Sequence, residues 1–285
     1  MLYPTADAWH AAPHRRVALF GMSGLGKTFL SQMLRDTGGW FHYSVDYRIG
    51  TRYMGEHIVD NFKREAMKSP FLRELLMTDS IYIASNITFD NLAPLSTYLG
   101  KPGDPARGGI PFEEYCHRQD QHREAEIAAL LDTVRFIDKA QTIYGYQHFV
   151  CDTGGSICEV VDPDNPDDPV LSALSTHLLP VWIKGSAAHA DELARRFDRA
   201  PKPMYYQPQE LLANWQAYQD ETGATELEVD PDEFIRWSYR RLLTSRQARY
   251  AAMARHGITL EADEVRSVRT EQDFVALIGE AIARA

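Results

Sequence analysis

Eight consecutive residues, Gly21-Met22-Ser23-Gly24-Leu25-Gly26-Lys27-Thr28, carry the spacing G-x-x-x-x-G-K-[ST], and their chemistry suits the grip of phosphate. Glycines at 21, 24 and 26 let successive main-chain N–H groups close round phosphate oxygens with no Cβ in the way. A helix starting near Lys27 would add its positive end to the same oxygens. Lys27 has the reach for β- and γ-phosphates, and the Thr28 hydroxyl is placed to ligand Mg²⁺. Ser23, Leu25 and Phe29 complete the residues expected around a bound nucleoside triphosphate. Average composition gives such a match in a chain of 285 residues about once in a hundred, so coincidence is a poor explanation.

Three further groups could do chemistry. Asp152 follows the apolar run His148-Phe149-Val150-Cys151, where a carboxylate can hold Mg²⁺ directly or through water, or else cap the turn that comes next. Gly154 and Gly155 follow it in the turn that leaves the strand. Asp46 comes after Ser44-Val45 and could take a proton from a substrate hydroxyl or bind the cation. Arg48 and Arg52 beside it could hold an anionic substrate group, with a surface ion pair as the alternative for all three. Finally, Arg195, Arg196, Arg199 and Lys202 crowd four cations into eight residues of an otherwise acidic chain. A mobile segment of this kind, acting through Arg196 and Arg199, could close over a transferred phosphate. A charged, exposed helix end would produce the same run.

The elements that must position these groups alternate. Arg15-Arg16 leads into the apolar Val17-Ala18-Leu19-Phe20, a buried strand, and Phe29, Leu30, Met33 and Leu34 behind the glycines repeat at helical spacing. Further strands are expected at Trp40–Val45, Gln147–Cys151, Leu178–Ile183 and Ile258–Val265. Helices are expected over 56–78 and 112–143, around Leu193 and Phe197, from Asp230-Pro231 to about His256, and after a Thr270 cap. Ser85 to Ile110, rich in Pro, Gly and Asn, reads as a long loop. Strands alternating with helices describe one α/β domain over 1–285 around a five-stranded, mainly parallel sheet. Residues 56–147 form a helical and loop insertion between the second and third strands, a substrate or partner region.

Composition sets limits. The formal charge of −10 argues against a general nucleic-acid binder. No apolar run approaches the roughly 18 residues of a membrane span. Met1 to His14 lacks a basic-then-apolar leader pattern, and Cys116, Cys151 and Cys158 form no disulfide framework, so a cytoplasmic protein with free thiols is expected. The oligomeric state is not legible.

With these residues in place, the chain resembles the small-molecule kinases of the P-loop class, the group that includes shikimate, gluconate and adenylate-type kinases. Gly21–Thr28 resembles the phosphate loop, and Ser44-Val45-Asp46 stands where shikimate kinases carry Asp-x-Asp. Asp152-Thr153-Gly154-Gly155-Ser156 resembles the glycine-rich substrate turn, and Arg195–Lys202 the lid. Tyr250 to Ala254, running into Ile258 to Val265 and the last helix, resembles the family's C-terminal strand and helix. The resemblance implies a three-layer P-loop NTPase-type fold, ATP and Mg²⁺ as cofactors, and γ-phosphate transfer to a small acceptor. Ser44, Ser156 and the long insertion depart from the shikimate kinase pattern and argue against shikimate itself. The reading from another class is an ATPase or nucleotide switch acting through a protein partner.

Overall fold

The computed structural model describes residues 1–285. Five strands, β1 Arg16–Phe20, β2 Trp40–Ser44, β3 His148–Asp152, β4 Leu179–Lys184 and β5 Ile258–Glu261, form a single sheet in the order β2-β3-β1-β4-β5. Every pairing is parallel. A parallel sheet reads as near-continuous apolar sequence because both faces are covered. Accordingly, all five residues of β3 and the last four of β1 are buried.

Thirteen α-helices accompany the sheet: α1 Ala6–Ala11, α2 Lys27–Asp36, α3 Val45–Arg48, α4 Gly55–Ala66, α5 Pro70–Met77, α6 Ala93–Leu99 and α7 Phe112–Thr142; then α8 Pro169–His177, α9 Ala187–Arg199, α10 Pro208–Thr222, α11 Pro231–Ala254, α12 Ala262–Ser267 and α13 Glu271–Arg284. The chain is therefore α/β. None of these helices is long and apolar enough to cross a membrane.

Two compact units divide the chain. The first comprises Met1–Val45, Glu126–Pro201 and Arg236–Ala285, and contains the sheet. In it α2 packs on β2 and β3, α8 on β4, α13 on β5, and α1 on α13. The α1–α13 join is anchored by Trp9, fully buried, whose Nε1 donates to the Val275 carbonyl at 2.8 Å. Trp40 and Phe274 meet edge to face beneath the sheet's β2 end, ring centroids 5.8 Å apart. Thr270 caps α13 by accepting from the Asp273 N–H, as its sequence position predicts.

The second unit comprises Asp46–Ala125 and Lys202–Ile235. Its boundaries differ from the insertion read at 56–147, for two reasons of packing. The 202–235 segment joins it: Tyr115 Oη and Gln119 Nε2 both donate to the Met204 carbonyl, and Phe112 stacks on Trp215 at 4.4 Å. The later part of α7 belongs instead with the sheet, where the Tyr43 hydroxyl donates to the Ala129 carbonyl at 2.6 Å. Within the second unit the helix expected at 56–78 is broken by Pro70 into α4 and α5, and the expected 85–110 loop contains α6. The expected fifth strand is half as long as its apolar run, since Glu261 caps α12.

Candidate functional site

The loop from Gly21 to Gly26 joins the end of β1 to α2, strand to glycine turn to helix. Gly21, Gly24 and Gly26 have φ of +133°, +85° and +106°, a region that side chains with a Cβ seldom enter. At Gly21 there is no room either: a Cβ would lie 2.5 Å from the Ile183 carbonyl oxygen of β4. The loop is walled by Leu193 of α9, next to Gly24, and by Val265 of α12, next to Gly26. Of the expected ligand residues, Leu25 and Lys27 are buried, while Ser23, Thr28 and Phe29 are exposed.

Lys27 is only 5% exposed, and its ammonium donates to the carbonyls of Gly21 at 2.8 Å and Met22 at 3.0 Å. The charge thus sits within the curve of the loop, held by main-chain oxygens. Next to it the Thr28 hydroxyl donates to Asp152 Oδ2 at 2.7 Å. The two residues are 124 apart in sequence, and strand order explains their meeting. β3 lies directly beside β1 with Leu19 opposite Asp152, so the carboxylate emerges at the level where β1 turns into the glycine loop. The second oxygen, Oδ1, accepts from the Gly154 N–H at 3.2 Å.

Gly154 and Gly155 follow at the carboxyl end of the sheet, where α/β proteins place ligands. The turn is held from several sides. Thr153 Oγ1 donates to the Leu19 carbonyl at 3.0 Å, and Ser156 Oγ to Glu126 Oε1 at 2.8 Å. The Gly155 carbonyl accepts from Arg246 Nη1 at 2.9 Å and from the Tyr250 hydroxyl. Arg246 is 1% exposed and pairs through Nε with Glu159 Oε1 at 2.7 Å; Arg249 binds the other Glu159 oxygen. Burial works against the Arg246 charge, but the Glu159 carboxylate beside it outweighs that and holds its pKa above the ordinary value. Burial also pushes the Tyr250 hydroxyl well up, which keeps it protonated and able to donate.

Arg196 and Arg199 lie on α9, a regular 13-residue helix with a Ser186–His189 capping box. Arg195, Arg196 and Arg199 thus lie in the last turns of this helix, and Lys202 lies beyond its end. Arg196 and Arg199 are exposed, and Arg196 Nε donates to Glu192 Oε1 at 2.8 Å. Asp46, Arg48 and Arg52 fall in the second unit, on α3 and the π-helical turn Ile49–Tyr53 that follows it. Asp46 and Arg48 are half-buried there, Arg48 lies over the Tyr53 ring at 5.6 Å, and Arg52 is exposed. The cysteines are free thiols, with Cys151 and Cys158 buried.

Sequence reasoning missed Arg246, Tyr250 and Glu159. A signal existed for Arg246, which shares an apolar helical stripe with Leu242, Leu243, Tyr250 and Met253, all buried. A charge on a buried stripe has to find a partner. No protein family and no curated protein matches this chain.

Proposed function

We propose that the first unit binds Mg·ATP and that the protein is a P-loop kinase transferring the γ-phosphate to a small-molecule acceptor. The observation that carries this reading is the pairing of Thr28 with Asp152 directly beside the glycine loop. A hydroxyl and a carboxylate, both hard oxygen ligands, stand side by side next to the glycine loop and its buried ammonium. These residues fit a magnesium nucleotide. Bound there, Mg²⁺ would neutralise charge on the β- and γ-phosphates.

The chain's own residues do the rest by position. Lys27 exchanges its two carbonyl partners for phosphate oxygens, and the N-terminus of α2 points its dipole at the same group. Arg196 and Arg199 are the cations available on α9 to spread transition-state charge. Gly154 and Gly155 present main chain to the substrate. In the second unit Asp46, Arg48 and Arg52 are the residues offered to a hydroxylated or anionic acceptor.

A second reading, a nucleotide-driven switch with a protein partner, is favoured by one feature of the second unit. Helix α5 has no buried residue, and Phe71, Met77 and Tyr82 are 69%, 72% and 88% exposed. The deciding assay is ADP release from Mg·ATP with and without fractionated small metabolites, against Lys27→Ala. A kinase gives turnover that one fraction raises and that Lys27→Ala lowers at least about a hundredfold. Slow, Lys27-dependent turnover indifferent to every fraction would transfer the case to the switch. Turnover unaffected by Lys27→Ala would remove both.

A further inference from the structure

The turn Thr153–Gly155 is bonded at one end to the C-terminal half of α11 and at the other to the carboxylate of Asp152. Arg246 Nη1 and the Tyr250 hydroxyl donate to one oxygen, the Gly155 carbonyl. Two peptide groups earlier in the same turn, the Gly154 N–H donates to Asp152 Oδ1, and Asp152 Oδ2 accepts from Thr28. The turn lies close against the glycine loop. A Cβ on Gly155 would lie 2.6 Å from Ser23 Oγ in the glycine loop and 3.8 Å from Arg246 Nη1. The arginine is itself fixed by Glu159, which is fully buried and bound on its other oxygen by Arg249.

We propose that Arg246 and Tyr250 are positioning residues for Asp152: by clamping the Gly155 carbonyl they hold the Gly154 N–H against one carboxylate oxygen, which aims the other at the Mg²⁺ position beside Thr28. The inference rests on the reading of the loop as a magnesium-nucleotide site. An arginine, glutamate and tyrosine buried only to fill the core would be costly choices, since an apolar set of similar volume packs as well without desolvating charge. What the polar set adds is direction. Groups that orient a metal ligand govern metal affinity nearly as strongly as the ligand itself, by about 10- to 100-fold. Nucleotide binding without metal depends on Lys27 and the loop amides rather than on the aim of Asp152, so the two quantities separate.

The test measures ATP binding by calorimetry twice, in EDTA and across a Mg²⁺ titration, for wild type, Lys27→Ala, Arg246→Lys and Tyr250→Phe. Tyr250→Phe removes one hydroxyl from an otherwise unchanged ring and keeps the experiment decisive if Arg246→Lys does not fold. The expected result is that Tyr250→Phe binds ATP in EDTA as wild type does, while the Mg²⁺ concentration giving half-maximal tightening rises about tenfold. An unchanged Mg²⁺ midpoint in a folded Tyr250→Phe protein overturns the inference and leaves the nucleotide site standing. Equal loss with and without Mg²⁺ also overturns it, because that is the mark of a purely structural role. Wild type that binds no ATP, or binds it independently of Lys27, removes the site and the inference together.

Discussion

At the scale of single residues, burial outweighs neighbouring charge at the two histidines of the sheet. His42 on β2 is 7% exposed; loss of water lowers its pKa to about 4, although the Asp152 charge pulls the other way. Burial lowers His148 on the adjacent strand as well. Both histidines are neutral in the fold at pH 7. Because the folded-state value lies below the unfolded one near 6.5, the unfolded chain binds the extra proton between about pH 4 and 6.5. Stability is therefore fully present above pH 6.5 and falls as the pH drops towards 4. For His42 the loss is at most about 3 kcal/mol. Thermal melts from pH 7 to 4.5 should show Tm falling, with a shallower fall for His42→Gln. Equal slopes in the two proteins would mean that His42 titrates freely in the fold.

Between elements, the glycine loop owes its shape to the strand beside it. Gly21 combines a positive φ with main chain 2.5 Å from where a Cβ would sit, and the Ile183 carbonyl cannot rotate out of the way as a side chain could. Gly38, after α2, has φ of +80° but nothing within 4 Å of its Cβ position. The pair separates backbone conformation from crowding. Gly38→Ala should cost about 1 kcal/mol and leave nucleotide binding intact. Gly21→Ala should cost at least about 2 kcal/mol and abolish binding, since either β1 or β4 must move. Urea unfolding of both variants, with ATP binding measured alongside, makes the comparison. Similar losses of stability would show that the loop yields more easily than the packing suggests.

For the whole molecule, occupancy of the site should be legible as stability. A ligand that binds only the folded chain adds RT ln(1 + [L]/Kd), about 2.7 kcal/mol at a hundredfold excess over Kd. Mg·ATP should therefore raise Tm of the wild type and leave Lys27→Ala unmoved. A rise shared by both proteins would point to a binding place away from the glycine loop. The second unit has an aromatic cluster of its own, Phe112 stacked on Trp215 and Trp215 edge to face with Phe234.

What the sequence determined by itself was local chemistry and periodicity. Gly21 to Thr28 announce the loop because its glycines are constrained by φ and by the missing Cβ, both properties of a short stretch of chain. The four-residue apolar runs around Val17 and Val150 announce buried parallel strands for the same local reason. Tertiary structure decided adjacency. Nothing in the spacing of Thr28 and Asp152 says that they touch; that follows from β3 lying next to β1, in a register fixed by main-chain pairing. It decided likewise that Lys202–Ile235 packs with Asp46–Ala125, through stacked aromatics far apart in sequence. And it brought Arg246 from one helix, Glu159 from a turn and the Gly155 carbonyl to one point, because charges on buried faces are stable only where the fold supplies their partners.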